Sequence, residues 1–444
     1  MCDFRLTAAG ASLAAITIWL HPSSAPAVDS FDLVRAAIRL PCQAAPGTDL
    51  ASLSERLPQA TSKKNWVRHS PEGIVGRRIV FGVAGDELTI EFSGETGRPD
   101  HVTALYLSGA MRQHRLLARA DGSCAIHSAR QLSYDLWGRP EWLQDLDSRL
   151  RPVGEPEPLN PPVPAGVDPP GILVGAVDSG VNYLLPEIVS RLARDRDGQI
   201  LGYDYWDLDR RPFDAEPTSD PFHPGRHGTQ IASLLLEEAP VAKLVPYRYP
   251  RSDMTRMSAL IEDGAAHGVR VMNLSLVTTD RHQWLRFEDA ARAHPEMLFV
   301  VAAGNHGRDL ERHPAYPAAL DLANMIVVTS ASADGRLTAG VNWGLTAVDL
   351  MASGEAVVAL DFDGARRPAS GSSYATARVS ALAACLLADH PEWSTDELKA
   401  AIFGEAQVHR VEQVAHGFLA DEVLGNRGAC RKTLAARRGL GRSC

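Results

Sequence analysis

Hydrophobic residues follow two different patterns along the chain. Up to about residue 150 they alternate with polar residues in short runs that Gly, Asp and Pro interrupt, which predicts antiparallel strands. The predicted strands are Arg78–Val83, Glu87–Phe92, Val102–Leu107 and Arg115–Ile126. A helical period predicts two short helices beside them, over Phe31–Leu40 and Trp137–Leu150. Residues 28–150 are therefore predicted to form a β-rich N-terminal domain.

A proline-rich stretch follows this region. Eight prolines lie between Arg151 and Gly171, and so much proline is incompatible with helices or central strands. The stretch from 151 to 171 is therefore predicted to be an extended linker and a domain boundary.

After the linker, continuous hydrophobic segments alternate with helical patterns. The predicted strands include Ile172–Val177, Lys243–Tyr247, Val269–Leu276, Met297–Ala303 and Met325–Ser330. The predicted helices are His227–Glu237, Thr255–His267, Arg286–His294, one from Ser373, and Ser394–Glu405 with a capping box. This alternation predicts an α/β domain over 172–426 with a doubly wound parallel sheet. The carboxyl ends of its strands, where ligands gather, carry Asp178 and Asn305.

Composition and charge exclude some classes of protein. The net charge of -9 argues against a general nucleic-acid binder, and the sequence carries no nucleic-acid-binding motif. Basic residues are concentrated in the tail over 427–444, which contains no acid and is interpreted as a solvated chain end.

The N-terminus predicts export. Residues 1–27 have the three parts of a signal peptide: Arg5, the hydrophobic core Leu6–Leu20 and the small-residue motif Ala25-Pro26-Ala27. A retained membrane anchor is the alternative, but the hydrophobic core is short for a membrane span. Arginine greatly outnumbers lysine, which is typical of bacteria with GC-rich genomes. The predicted location is extracellular or periplasmic.

The six cysteines agree with export. Cys2 is removed with the signal peptide, Cys42 is a candidate partner for Cys124, and Cys430 for Cys444. Cys385 falls on the hydrophobic face of a helix and is predicted to be a buried thiol. The sequence alone does not determine the pairing.

Ser373 is the candidate nucleophile. It lies in Gly371-Ser372-Ser373-Tyr374-Ala375, a glycine turn at the start of a long hydrophobic helix, where the helix dipole favours an oxyanion. An ordinary helix cap is the alternative interpretation. Asp178, His227 and Asn305 provide a carboxylate, an imidazole base and an amide donor, which a nucleophilic serine requires.

Together these motifs resemble the subtilisin-type serine proteases. The chain has Asp178-Ser179-Gly180, His227-Gly228-Thr229, Ala302-Ala303-Gly304-Asn305 and Gly371-Ser372-Ser373-Tyr374-Ala375, in the order of that family. The resemblance implies hydrolysis of peptide bonds by an Asp178, His227 and Ser373 triad, with Asn305 in the oxyanion hole. It also implies that Ser275, Leu276, Val277 and Gly304 bind the peptide substrate. The reaction that the resemblance implies requires no cofactor and no metal.

Several positions depart from the family pattern. Gln230 replaces a second histidine, Ser372 a threonine and Ala377 a proline. Val277 stands where the family commonly has glycine, and we hypothesise that it narrows the pocket for the residue before the cleaved bond.

Alternatives remain open at three points. A catalytically silent peptide-binding or assembly module is the alternative function, whereas an α/β-hydrolase esterase would need Gly-x-Ser-x-Gly at Ser373. The acids of Asp195–Asp220 would suit calcium, but interleaved arginines favour an ion-paired loop. The N-terminal domain is either a propeptide, acting as intramolecular inhibitor or chaperone, or a permanent domain, and we favour the propeptide.

Overall fold

The computed structural model describes residues 29–45, 48–49, 55–57, 59–70, 73–95, 98–249, 254–407, 413–424 and 430. The predicted signal peptide and the basic tail, apart from Cys430, lie outside the described residues. The chain divides into two compact units. The N-terminal unit is Met1–Ala129 with Leu146–Arg151, and the C-terminal unit is Arg130–Asp145 with Pro152–Cys444.

In the N-terminal unit a helix packs on antiparallel strands. Helix α1, Ser30–Gln43, begins at Asp29, whose carboxylate accepts the N–H of Phe31. Leu33, Val34, Ala37 and Ile38 share one face of the helix and are buried with the strand residues. The strands are β1 (Ala60–Ser70), β2 (Gly73–Val83), β3 (Asp86–Glu95), β4 (Arg98–Ser108) and β5 (Gln113–Asp121), each antiparallel to the next. The prediction of a β-rich N-terminal region is confirmed.

The next segment forms strands instead of the helix predicted over Trp137–Leu150. Its strands are β6 (Ile126–Tyr134), β7 (Pro140–Leu146) and β8 (Glu157–Pro158), and β7 pairs with β8. Asp135 explains the difference, because its carboxylate accepts the N–H groups of Trp137 and Arg139 and turns the chain after β6. Asp147 makes the same bonds with Arg149 and Arg151. Two side-chain-organised turns therefore take the place of a helix.

The C-terminal unit is built on a parallel sheet. Its strands are β9 (Ile172–Asp178), β10 (Tyr203–Asp204), β11 (Ala242–Arg248), β12 (Val271–Leu274), β13 (Leu298–Ala302), β14 (Met325–Ala331), β15 (Leu350–Ser353) and β18 (Gly417–Leu419). Their order in the sheet is β10-β11-β9-β12-β13-β14-β15-β18, and every pairing is parallel. A separate antiparallel hairpin joins β16 (Val357–Leu360) to β17 (Arg366–Ala369).

Helices cover both faces of this sheet. They are α2 (Pro186–Val189), α3 (Gly228–Glu238), α4 (Met257–Ala266), α5 (Leu285–Ala293), α6 (Ser372–Asp389) and α7 (Thr395–Gly404). Residues of α3, α6 and α7 share one core cluster, and residues of α4 and α5 share the other. Successive strand residues alternate between the clusters, as Val300 and Val301 do on β13. The predicted doubly wound parallel sheet is confirmed.

The disulfides match the cysteine predictions in part. Cys42 and Cys124 are bonded, as expected. Cys385 is buried on α6, as predicted, but it is not a thiol, because it is bonded to Cys430. The prediction of a Cys430–Cys444 bridge was therefore wrong, and Cys444 itself lies outside the described residues. Among the described residues, no helix has the length and hydrophobicity to cross a membrane.

Candidate active site

The side chains of Asp178 and His227 contact each other at the carboxyl end of the sheet. Asp178 is the last residue of β9, and His227 is the residue immediately before α3. The His227 Nδ1 lies 2.7 Å and 2.8 Å from the two carboxylate oxygens of Asp178. Because a carboxylate only accepts hydrogen bonds, this contact favours the tautomer with its proton on Nδ1, in which Nε2 keeps the lone pair of the neutral ring. The arrangement prepares Nε2 to act as a base.

Ser373, the candidate nucleophile, lies at the start of α6, a largely buried helix. Ser373 is the second residue of α6, and Gly371 before it has φ +142°, a conformation that favours glycine. The ring of Tyr374, the next residue, lies edge-on to the His227 ring, with 6.1 Å between centroids. The start of α6 therefore lies beside the imidazole, and the structure brings these two predicted site elements together.

Asn305 is fastened to the same helix start. Its Oδ1 accepts the backbone N–H of Ser372 at 2.9 Å. The N–H of Gly304 donates to the Ser372 hydroxyl at 3.1 Å, which ties the end of β13 to the turn before Ser373. With Oδ1 engaged, the Nδ2 amide is the group of Asn305 that can donate to a ligand. The serine that replaces the family's threonine, Ser372, thus has a structural role through its hydroxyl.

The predicted substrate strand follows β12 directly. Ser275 and Leu276 are buried, and Val277 is half-buried. A Cβ built on Gly304 would lie 3.2 Å from Cγ1 of Val277, so the valine side chain lies directly against Gly304. The four predicted substrate residues are therefore contiguous with Asn305.

Asp214 is a residue that the sequence analysis did not single out for the site. It is fully buried and accepts hydrogen bonds from the Ser179 hydroxyl at 2.6 Å and from the hydroxyl and N–H of Thr229 at 2.5 Å and 2.9 Å. Burial raises the pKa of its carboxyl, although these hydrogen bonds oppose the shift. Asp214 thus connects the residue after Asp178 to the start of α3. The sequence signal was weak, because Asp214 lies in a run of acids.

Gln230 also acquires a structural explanation. Its Oε1 accepts the hydroxyl of Tyr374, and its Nε2 donates to Asp361 at 3.0 Å. Asp361 follows β16 and pairs with Arg367 on β17. Gln230 therefore links the residue after Ser373 to the β16–β17 hairpin, which a histidine would do with different geometry.

The acids of Asp195–Asp220 are engaged mainly by arginines and backbone groups. Asp204 and Asp207 pair with the buried Arg248, and Asp209 pairs with Arg139 and Arg211. Within the part of the chain that the structure describes, no group of three or more His, Cys, Asp or Glu is placed to hold a metal ion. Arg211 is one of the interleaved arginines, whereas Arg248 and Arg139 come from outside the segment, and calcium binding stays untested.

Comparisons with known proteins point to one family. The model of the subtilase family matches residues 170–426, a region that contains Asp178, His227, Asn305 and Ser373. Alkaline serine exoprotease A of Vibrio alginolyticus is 26% identical over 57% of this chain and 45% of that protein. Minor extracellular protease Vpr of Bacillus subtilis (strain 168) is 34% identical over 24% of this chain and 14% of that protein. The chain thus spans less than half the length of both relatives.

Two solved structures are similar to the chain at lower identity. A lanthipeptide protease is 18% identical with a TM-score of 0.48, covering 59% of this chain and 88% of its own. A cold adapted subtilisin-like serine proteinase is 22% identical with a TM-score of 0.46, covering 60% of this chain and 93% of its own.

Proposed function

The chain belongs to the subtilase family of serine peptidases, and from this premise we propose that it is an endopeptidase whose triad is Asp178, His227 and Ser373. The observation that carries the proposal is the contact of His227 Nδ1 with both carboxylate oxygens of Asp178. This contact holds the imidazole in the tautomer that a base requires. The edge-on packing of His227 against Tyr374, the residue after Ser373, also supports the proposal.

The reaction would proceed through an acyl-enzyme. The Ser373 hydroxyl attacks the carbonyl carbon of the scissile bond while Nε2 of His227 takes its proton. Asp178 stabilises the imidazolium that forms. His227 then gives the proton to the leaving amine as the C–N bond breaks. A water molecule gives a proton to His227 and attacks the acyl ester. His227 returns this proton to Ser373 as the acid is released. Side chains and water perform every step, so we propose no cofactor.

The developing oxyanion needs donors in a fixed position. We assign this role to Nδ2 of Asn305 and the N–H of Ser373. The hydrogen bonds of Asn305 Oδ1 to Ser372 and of Gly304 to the Ser372 hydroxyl support the assignment, because they hold the amide beside the nucleophile. Removing one such donor typically lowers kcat on the order of 100-fold to 1,000-fold.

We propose that the substrate is a protein or peptide. Ser275, Leu276, Val277 and Gly304 would contact its residues on the N-terminal side of the cleaved bond. Backbone N–H and C=O groups that follow a strand can bind an extended peptide through hydrogen bonds. The contact between Val277 and Gly304 supports a narrow pocket at this point.

We also propose that the enzyme is exported. The signal-peptide pattern of residues 1–27 supports this location, as do the disulfides Cys42–Cys124 and Cys385–Cys430, since disulfides persist mainly in oxidising compartments. The curated relative from Bacillus subtilis is named as an extracellular protease.

The test compares purified parent protein with Ser373→Ala and with Ser190→Ala, an exposed serine of the same unit. Each is incubated with an organophosphonate probe and with casein. We expect labelling and cleavage by the parent and Ser190→Ala, and neither by Ser373→Ala. Labelling without casein cleavage would indicate narrow specificity. A folded parent that takes up no probe would contradict the proposal and support the silent peptide-binding module.

A further inference from the structure

Arg226, the residue before His227, has a buried guanidinium. Its side chain is 14% exposed, and its Cζ lies 4.0 Å from the centroid of the Phe362 ring. Its Nη1 is buried and has no hydrogen-bond partner among the described residues, whereas Nη2 donates to Oε1 of Glu157. A buried cation that loses the carboxylate it is paired with is strongly destabilising. The Glu157 contact therefore bears on the position of Arg226, the residue next to His227.

A second contact holds the loop that ends at His227. Backbone hydrogen bonds between Glu216 and Gly225 close this loop. At its tip the carbonyl of Phe222 accepts a hydrogen bond of 2.7 Å from Arg130, which also pairs with Asp145 at 2.6 Å. Both contacts come from residues before Gly171, outside the region that the family model matches.

Glu157 itself is held in place by the C-terminal unit. It lies opposite Leu143 in the pairing of β8 with β7, and the N–H of Leu159 donates to the carbonyl of Glu141. The proline-rich stretch after it is anchored at intervals, through Pro161 to Tyr183, Pro164 to Arg194 and Asp168 to Lys243. This stretch, which was predicted to be a linker, is bound along its length.

The order of segments along the chain limits how the N-terminal unit could be removed. Arg130–Asp145 belongs to the C-terminal unit, but Leu146–Arg151 returns to the N-terminal unit, where Leu146 and Leu150 are buried in the cluster that contains α1. A cut near Gly171 would place Arg130, Asp145 and Glu157 on a different chain from the loop before His227. No single cut between Arg130 and Gly171 releases one complete unit from the other.

We propose that Glu157 is a positioning residue for His227, acting through Arg226, and that the active enzyme keeps the residues before Gly171. The inference rests on the proposed function for its catalytic part. It makes the N-terminal unit a permanent domain and replaces the propeptide interpretation favoured from the sequence.

The first experiment measures which chain carries the activity. The exported parent is labelled with the organophosphonate probe, and the labelled species is analysed by intact mass and N-terminal sequencing. We expect every labelled species to begin before Arg130. A fully active labelled species that begins between Arg130 and Gly171 would overturn the proposal.

The second experiment compares Glu157→Gln with Glu155→Gln, an exposed acid two residues earlier. We expect Glu157→Gln to lower kcat about tenfold or more while KM changes less than about twofold, because misplacing a catalytic group by 1 Å can cost about 100-fold. Glu157→Asp should recover part of the loss, and Glu155→Gln should match the parent. Parental kcat in Glu157→Gln would overturn the positioning role.

A thermal double-mutant cycle of Glu157→Gln and Arg226→Gln separates this inference from the proposed function. Strongly non-additive Tm changes would establish the coupling of Glu157 to Arg226 even if the parent takes up no probe, in which case only the protease proposal fails. Additive changes would show that Glu157 does not hold Arg226 and would overturn the positioning role, whatever the activity.

Discussion

Asp214 contacts Ser179 and Thr229, which lie close in sequence to Asp178 and His227. Its carboxylate reaches Ser179 on one side and Thr229 on the other, and the Ser179 hydroxyl also accepts the N–H of Gly228 at 2.9 Å. These bonds fix the backbone on both sides of the Asp178–His227 contact. Rotation of either segment would lengthen that contact, so the effect of Asp214 should appear in turnover more than in substrate binding.

We therefore predict that Asp214→Asn lowers kcat about tenfold or more with a small change in KM. The asparagine keeps the shape, but its amide can present a donor to the Thr229 N–H, which leaves a buried donor without an acceptor. Steady-state kinetics with a peptide substrate measure the effect. Asp197→Asn, at an exposed acid of the same segment, is the control and should match the parent. Equal kinetics for both variants would refute the positioning role of Asp214.

Val277 determines a second prediction at the residue scale. Its contact with Gly304 places two methyl groups where the family commonly has none, so Val277→Gly should widen the pocket before the cleaved bond. We expect the ratio of kcat/KM for a phenylalanine over an alanine substrate to rise about tenfold, within the range that hydrophobic pockets achieve. The ratio is measured on one preparation, which cancels any loss of folded protein. A parent that already prefers phenylalanine would contradict the narrow pocket.

The candidate site was predictable from the sequence where its chemistry is local. Asp178, His227, Asn305 and Ser373 each lie in a short motif, and the structure brings the four motifs to one end of the sheet. Asp214 was not predictable in the same way, because its role depends on a loop that brings it back to Thr229. Glu157 was still less visible, since its partner Arg226 lies 69 residues away.

At the scale of elements, a buried ion pair connects the two helices that carry the site. Helix α3 begins after His227 and ends with Glu238, and helix α6 carries both Ser373 and Arg378. Arg378 Nε donates to Oε1 of Glu238 at 2.7 Å, and both side chains are largely buried. Burial raises the pKa of Glu238 from its ordinary 4.5 to about 7, even though Arg378 opposes the shift.

The raised pKa predicts how stability depends on pH. Between about 4.5 and about 7 the folded protein binds a proton at Glu238 that the unfolded chain releases, so this residue's contribution to the free energy of unfolding falls as pH rises. Glu238→Gln should remove that slope, which is at most about 1.4 kcal/mol per pH unit. Urea unfolding from pH 5 to 8 measures it. Glu237→Gln, at the exposed neighbour, should keep the parental slope, and a parental slope in Glu238→Gln would contradict the prediction.

Element predictions succeeded where burial determined the pattern. Continuous hydrophobic runs identified β9, β12, β13 and β14, and the capping box of Ser394 and Glu397 starts α7 as expected. The helix predicted over Trp137–Leu150 failed because its period is formed by residues of two turns and a strand. The signal for those turns is Asp135 and Asp147, each followed by arginine four residues later. Hydrophobic period alone does not register such side-chain-to-backbone bonds.

At the scale of the whole molecule, each unit has its own hydrophobic core and its own disulfide. Cys42–Cys124 lies in the N-terminal unit and Cys385–Cys430 in the C-terminal unit. The second disulfide joins Cys430, which follows the last strand of the parallel sheet, to Cys385 in the C-terminal part of α6. Each bridge should therefore stabilise the unit that contains it, so their effects can be measured separately.

The sequence and the structure give Cys430 different partners, Cys444 and Cys385 respectively. Because Cys430 is bonded to Cys385, across a sequence separation of 45 residues, Cys430→Ser should lower the stability of the C-terminal unit by about 3–4 kcal/mol through the larger entropy of the unfolded chain. Cys444→Ser should leave its Tm unchanged. Thermal unfolding of both variants, with non-reducing peptide mapping of the parent, measures the outcome. A Tm loss in Cys444→Ser equal to that in Cys430→Ser, with a mapped Cys430–Cys444 peptide, would restore the pairing predicted from the sequence.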